Sequence, residues 1–444
     1  MGKLPEQLIW LQPMIAKEVR RLPLVQGIVP TAQVSKLTAA YDPYRLAPFV
    51  RDMEWLSALK PRLPLQKRAA ACLANAQHGT LWLEFEGIQV LIDPGDGVIL
   101  NEFNPAVIAL THAHADHSGA LLEAAQKYPQ AAIVTTPQTY DLLQLLPDGQ
   151  AQAIKLLFEQ RGYIRPADGS TFRIAGINFR LYPAGHLLGA AMIDIEYQAV
   201  RVLVTGDFAL RDLAGFRGAV WPLAEYDTVF MESTHGWDFE HPTAHTLTND
   251  APLIDTCTQA IQRGSTRVIF LAAALGDAQA IYGALAEAQS HGLWPQFTIR
   301  LAGKAAQVAK LYAQTDHTPL SLWSSPLHRV DRADYVPQQS IVVASGAEPG
   351  GIGAQLVDLL KTDTTAAIVT PQAGAEPPTK ADRYAISLHA SFYELFATAA
   401  ALTCAQVAFY HAPRLGMSPA AELLEKAGRR TFTLSETLQS IGYA

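Results

Sequence analysis

The stretch of sequence that decides the fold reads Thr111-His112-Ala113-His114-Ala115-Asp116-His117. It follows an apolar run at residues 107–110 that is typical of a short buried strand. Alternate residues of an extended segment point the same way, so His112, His114 and Asp116 can face one point. His117 would lie beside them, at the start of a helix. Three imidazoles and a carboxylate suit zinc, and packing alone rarely produces such a cluster, so the stretch predicts a metal site at a strand end.

Further ligands are expected at other strand ends, because one loop cannot complete two metal sites. His186 lies between glycines in Ala-Gly-His-Leu-Leu-Gly, and Asp207 follows the apolar run of residues 200–204. Taken alone, His186 would be a turn residue and Asp207 a helix cap or turn carboxylate. Beside the histidine cluster, both are candidate metal ligands.

The order of these elements, HxHxDH followed by GH and then GD after a strand, resembles the metallo-β-lactamase superfamily. The resemblance implies that one zinc is bound by His112, His114 and His186. It implies that Asp116 and His117 bind the second zinc, with Asp116 also part of the catalytic set, and that Asp207 bridges the two.

Three later elements resemble those of the β-CASP nucleases of this superfamily. They are Glu232-Ser233-Thr234-His235-Gly236, Ser387-Leu388-His389-Ala390, and His411 at the end of a strand. Taken singly, they could be a strand-end carboxylate, a helix-cap histidine and a buried core histidine. The resemblance, which covers about residues 78–430, implies that His411 completes the second zinc site. It also implies that His389, oriented by Glu232, protonates the leaving oxygen. Residues 274–279, Ala-Leu-Gly-Asp-Ala-Gln, resemble a helix start of the family's inserted domain. Asp277 stands where the family usually has arginine.

The fold class that follows is α/β: a metallo-β-lactamase αββα sandwich, an inserted parallel α/β β-CASP domain and an N-terminal helical extension. Dense strands between residues 80 and 232 predict two sheets between helices. Alternating strands and helices after them predict a parallel sheet with crossover helices. We predict the extension at residues 1–77, the first part of the metallo-β-lactamase domain at 78–244, the inserted domain at 245–375 and the last part at 376–444. Apolar residues at helical spacing predict a helix over residues 65–76, and residues 384–388 are predicted to form a strand.

The function implied by the resemblance is hydrolysis of phosphodiester bonds by a hydroxide that two Zn²⁺ ions activate, with Mn²⁺ as an alternative metal. Histidine at position 411 resembles the family members that act on RNA, such as ribonuclease J and the pre-mRNA 3′-end endonuclease. Artemis-type DNA nucleases usually lack it, so single-stranded RNA is the expected substrate. A DNA nuclease, a hydrolase of small esters, lactams or thioesters, and a non-catalytic scaffold are the alternatives.

A substrate-binding element is predicted at Ser345 and Gly346, within Ser-Gly-Ala-Glu-Pro-Gly-Gly at residues 345–351. Glycines between a strand and a helix let backbone N–H groups approach a phosphate. Ordinary strand-to-helix turns are also glycine-rich, and Glu348 opposes a phosphate close by.

Composition restricts how such a protein could hold nucleic acid. The formal net charge is −7, whereas a binder driven by overall charge would usually be basic, so a local basic patch or metal ions must hold the substrate. Cys72, Cys257 and Cys404 are far apart, which favours reduced thiols. With neither a secretory signal nor a membrane span expected, we predict a cytoplasmic protein, in which residues 1–77 could contact a protein partner.

Overall fold

The computed structural model of the protein describes about two thirds of the chain. The described residues are 72–77, 79–100, 103–210, 217–222, 224–236, 251–315, 327–346, 350–371, 382–384, 386–390, 394–395, 398–399, 402, 404–411, 421, 424, 430–434 and 439–441. Within them, the strands form three sheets, of seven, seven and six strands. No helix of this described part is long and apolar enough to cross a membrane.

The first sheet has the order β20-β1-β2-β3-β4-β5-β6. Its strands are β1 Cys72–Gln77, β2 Thr80–Phe85, β3 Ile88–Ile92, β4 Val107–Ala109, β5 Ala132–Thr135, β6 Gly162–Ile164 and β20 Gln439–Ile441. Strands β2 and β3 form a hairpin across Glu86 and Gly87, both of which have positive φ, as a two-residue hairpin turn of matching twist requires.

The second sheet has the order β19-β18-β11-β10-β9-β8-β7. Its strands are β7 Phe172–Ile174, β8 Ile177–Pro183, β9 Ala191–Tyr197, β10 Val200–Val204, β11 Tyr226–Glu232, β18 Cys404–Tyr410 and β19 Thr431–Thr433. Every residue of β11 is buried, and both its neighbours, β10 and β18, run parallel to it. The carboxyl ends of these three strands therefore meet at one edge of the sheet.

The first two sheets pack face to face around a shared apolar core. Leu83 and Val90 of the first sheet belong to one buried cluster with Phe179 and Val202 of the second. The other face of the first sheet, through Leu91 and other apolar residues, packs against helices. The helices of this part are α1 Ala115–Ser118, α2 Leu121–Lys127, α3 Pro137–Leu143 and α4 Asp148–Arg161. The layers are those of the predicted αββα sandwich, so the fold class is confirmed.

The third sheet is parallel in every pair that the structure describes, with the order β14-β13-β15-β12-β16-β17. Its strands are β12 Arg267–Leu271, β13 Thr298–Ala302, β14 His328–Val330, β15 Ser340–Ala344, β16 Ala366–Pro371 and β17 Asp382–Tyr384. Its helices are α5 Ala251–Gln262, α6 Asp277–Ser290, α7 Lys304–Ala313 and α8 Ile352–Leu360. In the sequence this unit lies between β11 and β18, which are neighbours in the second sheet. We call it the inserted unit.

Two local predictions are wrong. The helix expected over residues 65–76 fails at its carboxyl end, because Cys72–Gln77 is strand β1 and pairs with β2 and β20. Cross-strand pairing overrides the helical spacing there. The strand expected at residues 384–388 is also displaced, since β17 ends at Tyr384 and residues 386–390 are not a strand. Residues 1–71 of the predicted extension lie outside the described residues, and the four domain limits stay predictions.

Candidate metal centre

Seven side chains predicted to bind metal come together where strands of the first two sheets end. The loop after β4 carries His112 and His114, and α1 carries Asp116 and His117. His186 lies between β8 and β9, Asp207 follows β10, and His411 follows β18. Gly206, at φ +55° directly before Asp207, packs so closely on Thr111 that a Cβ on this glycine would lie 2.6 Å from Thr111 Cβ.

The first ligand group consists of His112, His114 and His186, with Asp207 beside them. Nδ1 of His114 is 3.1 Å from Nε2 of His112 and 3.1 Å from Nε2 of His186. Nitrogens bound at about 2.0–2.1 Å to a tetrahedral zinc lie roughly 3.3 Å from one another. The spacing of the three nitrogens therefore suits a single zinc ion.

The outer nitrogens of these three rings all face acceptors. The acceptors are Thr111 Oγ1 at 3.0 Å from His112, Leu275 O at 3.1 Å from His114 and Leu388 O at 3.0 Å from His186. Thr111 gives its own hydroxyl hydrogen to Asp93, so it accepts from His112. If each outer nitrogen carries the ring proton, the three converging nitrogens carry lone pairs that point toward one another. A cation between them removes this repulsion.

Burial supports the neutral state of the first group. It lowers the pKa of His112 and His186 well below the usual value, and the positive charge of neighbouring histidines adds to the effect. Burial also lowers the pKa of His114. Neutral imidazoles are the form that binds metal, so the first group needs to release little or no proton to a cation.

The second ligand group consists of Asp116, His117 and His411. Asp116 Oδ2 lies 3.7 Å from Nε2 of His117 and 3.5 Å from Nε2 of His411. Nε2 of His117 is buried and makes no well-aligned hydrogen bond among the residues that the structure describes, although Asp207 Oδ2 lies 3.2 Å away. A buried ring nitrogen left in this state is costly unless an ion or water takes it, so this group also fits a metal.

Asp207 lies between the two groups. Its Oδ2 is 3.7 Å from Nε2 of His112, 3.8 Å from Nε2 of His186 and 3.2 Å from Nε2 of His117. Burial alone would raise its pKa, but His117, His411 and His389 together hold it well below the usual value. The carboxylate stays ionised and lies within 4 Å of ring nitrogens from both groups; the bridging role that the resemblance implies stays a prediction.

The second group carries more positive charge than the first when no cation is bound. Burial lowers the pKa of His117, but Asp207 and Asp93 outweigh it and raise that pKa well above the usual value. His411 follows the same balance, with burial opposed by Asp207 and Asp116, and its pKa rises to about 10. Protons on these two rings occupy the place that a cation would take between the carboxylates.

His389 and Glu232 lie together at the edge of the metal centre. Nδ1 of His389 is 3.5 Å from Oε1 of Glu232 and 3.8 Å from Oδ2 of Asp207. Burial lowers the His389 pKa, but these two carboxylates raise it above the usual value. Glu232 is fully buried, and its Oε2 accepts from the backbone N–H of Thr234 at 2.7 Å. The Glu232 carboxylate is therefore fixed and buried, whereas the His389 side chain is 22% exposed.

Backbone strain gathers at this centre. Asp93, His186 and His411 have φ of 53°, 45° and 53°, which is the left-handed region that residues other than glycine seldom occupy. Each of the three takes part in the centre or contacts one of its ligands. Such residues persist where the surrounding structure fixes them, and they concentrate at functional sites.

The predicted substrate-binding residues, Ser345 and Gly346, lie elsewhere, in a cavity of about 430 Å³ where the strands of the third sheet end. The Ser345 hydroxyl is used within the protein, accepting from Ala305 N at 2.9 Å and donating to Ala302 O at 3.3 Å. Gly346 and the exposed Lys304 also line the cavity, and Lys304 is the only charged residue among the described residues of its lining.

The sequence reasoning missed three contributors to the centre. Asp93 lies 2.9 Å from Nδ1 of His117 through its Oδ2. His235 contacts Ser387 Oγ through Nε2 at 2.9 Å, and that oxygen in turn accepts from His389 N at 3.2 Å. The third is the carbonyl of Leu275. A carboxylate directly after a strand, as at Asp93, could have indicated the first, but a backbone carbonyl leaves no mark in the sequence.

Comparison with known proteins relates this centre to the metallo-β-lactamase superfamily. Residues 81–248 match the family model described as the metallo-beta-lactamase superfamily. The chain carries a metallo-β-lactamase domain, and six of the seven candidate ligands lie within the matched residues.

Its relatives are proteins of the β-CASP family, so the resemblance read from the sequence is confirmed. It is 26% identical over 332 residues to cleavage and polyadenylation specificity factor subunit 3-I of Arabidopsis thaliana, covering 66% of this chain and 47% of that protein. It is 31% identical over 208 residues to transcription termination factor FttA of Thermococcus kodakarensis, covering 43% and 31%. For endoribonuclease ysh1 of Schizosaccharomyces pombe the identity is 28% over 222 residues, covering 44% and 29%. The aligned part spans less than half the length of each of these relatives.

Proposed function

We propose that the protein is a metal-dependent ribonuclease that hydrolyses phosphodiester bonds of RNA. The observation that carries the proposal is the position of His389, whose Nδ1 lies within 4 Å of both Glu232 and the bridging Asp207. A hydrolase of this kind needs a proton donor beside its metal centre, and this pair supplies one. The similarity to endoribonuclease ysh1 of Schizosaccharomyces pombe supports the choice of RNA.

The metal ions of this proposal are two Zn²⁺, with Mn²⁺ as an alternative. When bound, they would supply a water of lowered pKa and neutralise charge on the phosphate oxygens. The first ligand group would hold one ion and the second group the other, with Asp207 shared. Three imidazoles favour zinc at the first group, and the carboxylate and two imidazoles of the second accept either metal.

The side chains then divide the remaining work. Glu232 Oε1 lies 3.5 Å from Nδ1 of His389 and would orient the ring electrostatically, which leaves the other ring nitrogen to protonate the leaving oxygen. Asp207 and Glu232 raise the pKa of His389 above its usual value despite burial, which favours the imidazolium that a general acid requires. Asp116 is more than half exposed and completes the second group on its open side.

The RNA would be held by the inserted unit as well as by the metal ions. Helices α7 and α8 begin at the cavity lined by Gly346 and Lys304, so N–H groups and one ammonium face the same space. These features favour a phosphate there, bound through backbone and Lys304 rather than through the occupied Ser345 hydroxyl. The cytoplasmic location and a protein partner for residues 1–77 belong to the same proposal.

The decisive experiment compares end-labelled RNA with single-stranded DNA of the same sequence, using the wild type and Asp207→Ala. Cleavage of RNA by the wild type alone supports the proposal, and the product ladder distinguishes internal from terminal cutting. Equal or faster cleavage of DNA would replace it with a deoxyribonuclease. Hydrolysis of small esters or lactams by a metal-loaded protein that cuts neither polymer would replace it with a small-molecule hydrolase.

A further inference from the structure

The outer nitrogens of two histidines in the first ligand group are held by segments beyond residue 248. Leu275 O, which faces His114 Nε2, directly precedes the Gly276 N-cap of α6 in the inserted unit. Leu388 O, which faces His186 Nδ1, lies in the segment by which the chain returns from that unit. Both carbonyls therefore lie outside the residues that match the metallo-β-lactamase model.

The second group differs in this respect. The outer nitrogen of His117 is held by Asp93, 2.9 Å away and well inside the matched residues. Partners of this kind fix the orientation of a ligating ring and raise the basicity of its metal-binding nitrogen. Two rings of the first group are therefore oriented by segments beyond residue 248, whereas His117 of the second group is oriented by Asp93, within the matched residues.

The contact between the inserted unit and the first group is closely packed. Gly276 has φ +90°, and a Cβ there would lie 2.4 Å from Leu388 Cδ1 and 3.7 Å from His114 Nε2. Gln279 fixes the start of α6, since its Oε1 accepts from Gly276 N at 2.8 Å. A second link lies two residues beyond His186, where Leu188 N donates to the buried Tyr312 hydroxyl of α7 at 2.9 Å.

We propose that docking of the inserted unit and metal binding at the first ligand group are energetically coupled, because the unit supplies the carbonyls that orient His114 and His186. By thermodynamic reciprocity, displacing the start of α6 weakens the first metal, and removing that metal loosens the start of α6. The second group is organised by Asp93 and is coupled more weakly. The coupling is independent of which polymer the protein cuts.

The test uses a pair of glycine variants matched in backbone conformation. Gly276→Val forces a side chain against Leu388 and His114, whereas Gly292→Val places the same side chain at φ +93° with no atom within 4 Å of its Cβ. Zinc affinity is measured by competition with a chromophoric chelator. We expect Gly276→Val to weaken about one equivalent of zinc by roughly 10–100-fold, and Gly292→Val to leave both equivalents unchanged.

Equal affinity in the two variants and the wild type would overturn the proposal, as would equal weakening of both equivalents in Gly276→Val. A second measurement needs no variant and covers the case in which Gly276→Val fails to fold. Amide hydrogen exchange of the wild-type chain is followed with zinc and after chelation. We expect loss of protection at residues 276–280 and 388–390 on chelation, with little change in α8; uniform change, or none, would contradict the coupling.

Discussion

Oδ2 of Asp93 lies 2.9 Å from Nδ1 of His117, and both side chains are fully buried. The carboxylate is itself fixed, since Thr111 donates to it from its backbone N–H at 2.7 Å and from its hydroxyl at 2.6 Å. Asp93 therefore sets the orientation of one candidate ligand. It also joins the end of β3 to the loop that carries the histidine cluster.

We predict that Asp93→Asn weakens metal binding by roughly 10–100-fold, because an amide cannot replace the carboxylate as acceptor for both Thr111 and His117. The measurement is zinc affinity by chelator competition. Asp168→Asn is the control, since the Asp168 carboxylate accepts only within an exposed turn, from Ser170 N at 2.8 Å. Equal zinc affinity in Asp93→Asn and Asp168→Asn would show that Asp93 does not position His117 for metal binding.

His389→Ala and Asp207→Ala should separate proton donation from metal binding. His389 lies at the edge of the centre, so its loss should leave zinc bound but lower turnover of RNA by about 10²–10⁴-fold. Asp207 lies between the ligand groups, so its loss should release metal. Zinc content and single-turnover cleavage are measured on the same preparations. Loss of zinc from His389→Ala would make this histidine a ligand.

Ser387→Ala should change the rate of cleavage without changing the metal. The Ser387 hydroxyl joins His235 to the backbone of His389, so its removal frees the segment that carries the proton donor. We expect kcat to fall by about tenfold, with KM and zinc content unchanged, because a small misplacement of a catalytic group is costly. His235→Ala should act in the same direction, and the double variant should add little to the single ones. A change confined to KM would point to substrate contact instead.

Asp277→Asn should stabilise the protein in a pH-dependent way. Burial raises the pKa of Asp277 from 3.8 to about 6, an effect that His389 partly offsets. Because the pKa in the folded state is raised, the native state loses stability as pH rises from about 4 to about 6. The variant escapes this loss, so at pH 8 its free energy of unfolding should exceed that of the wild type by about 2 kcal/mol. Denaturant unfolding of both proteins is measured at pH 4 and pH 8. If the variant and the wild type differ in free energy of unfolding by the same amount at both pH values, the raised pKa of Asp277 is contradicted.

Much of the centre was accessible from the sequence because its residues stand directly after strands. The apolar runs before Thr111 and Asp207 are buried strands of parallel neighbours, and parallel strands bring their carboxyl ends together. The roles of His389 and His411 could not be predicted from their positions alone, because each singly resembles a helix-cap or buried core histidine. The family order of motifs supplied the missing information, and the structure brings both beside Asp207.

What the sequence could not predict depends on contacts between distant segments. Residues 72–77 contain alanine, leucine, asparagine and glutamine, which carry little strand propensity, yet β2 recruits them as a strand. The role of Asp93 depends on a histidine 24 residues away. Leu275 acts through its carbonyl, so no side-chain pattern could have revealed it. The predicted use of Ser345 likewise depended on whether its hydroxyl was free, which only neighbours from β13 and α7 decide.

The position of the inserted unit between β11 and β18 also dictates an order of events on the ribosome. Thr228 of β11 and Gln406 of β18 are hydrogen-bonded partners 178 residues apart in the chain. Until the inserted unit has emerged, β11, which is wholly buried in the folded protein, has no β18 partner at one edge, and an unpaired strand edge favours aggregation. The last ligand, His411, follows β18 and arrives with it. Nascent chains therefore pass through a period in which β11 is uncovered and the centre lacks its last ligand. The slower the inserted unit folds, the more the nascent chain should need chaperones during synthesis.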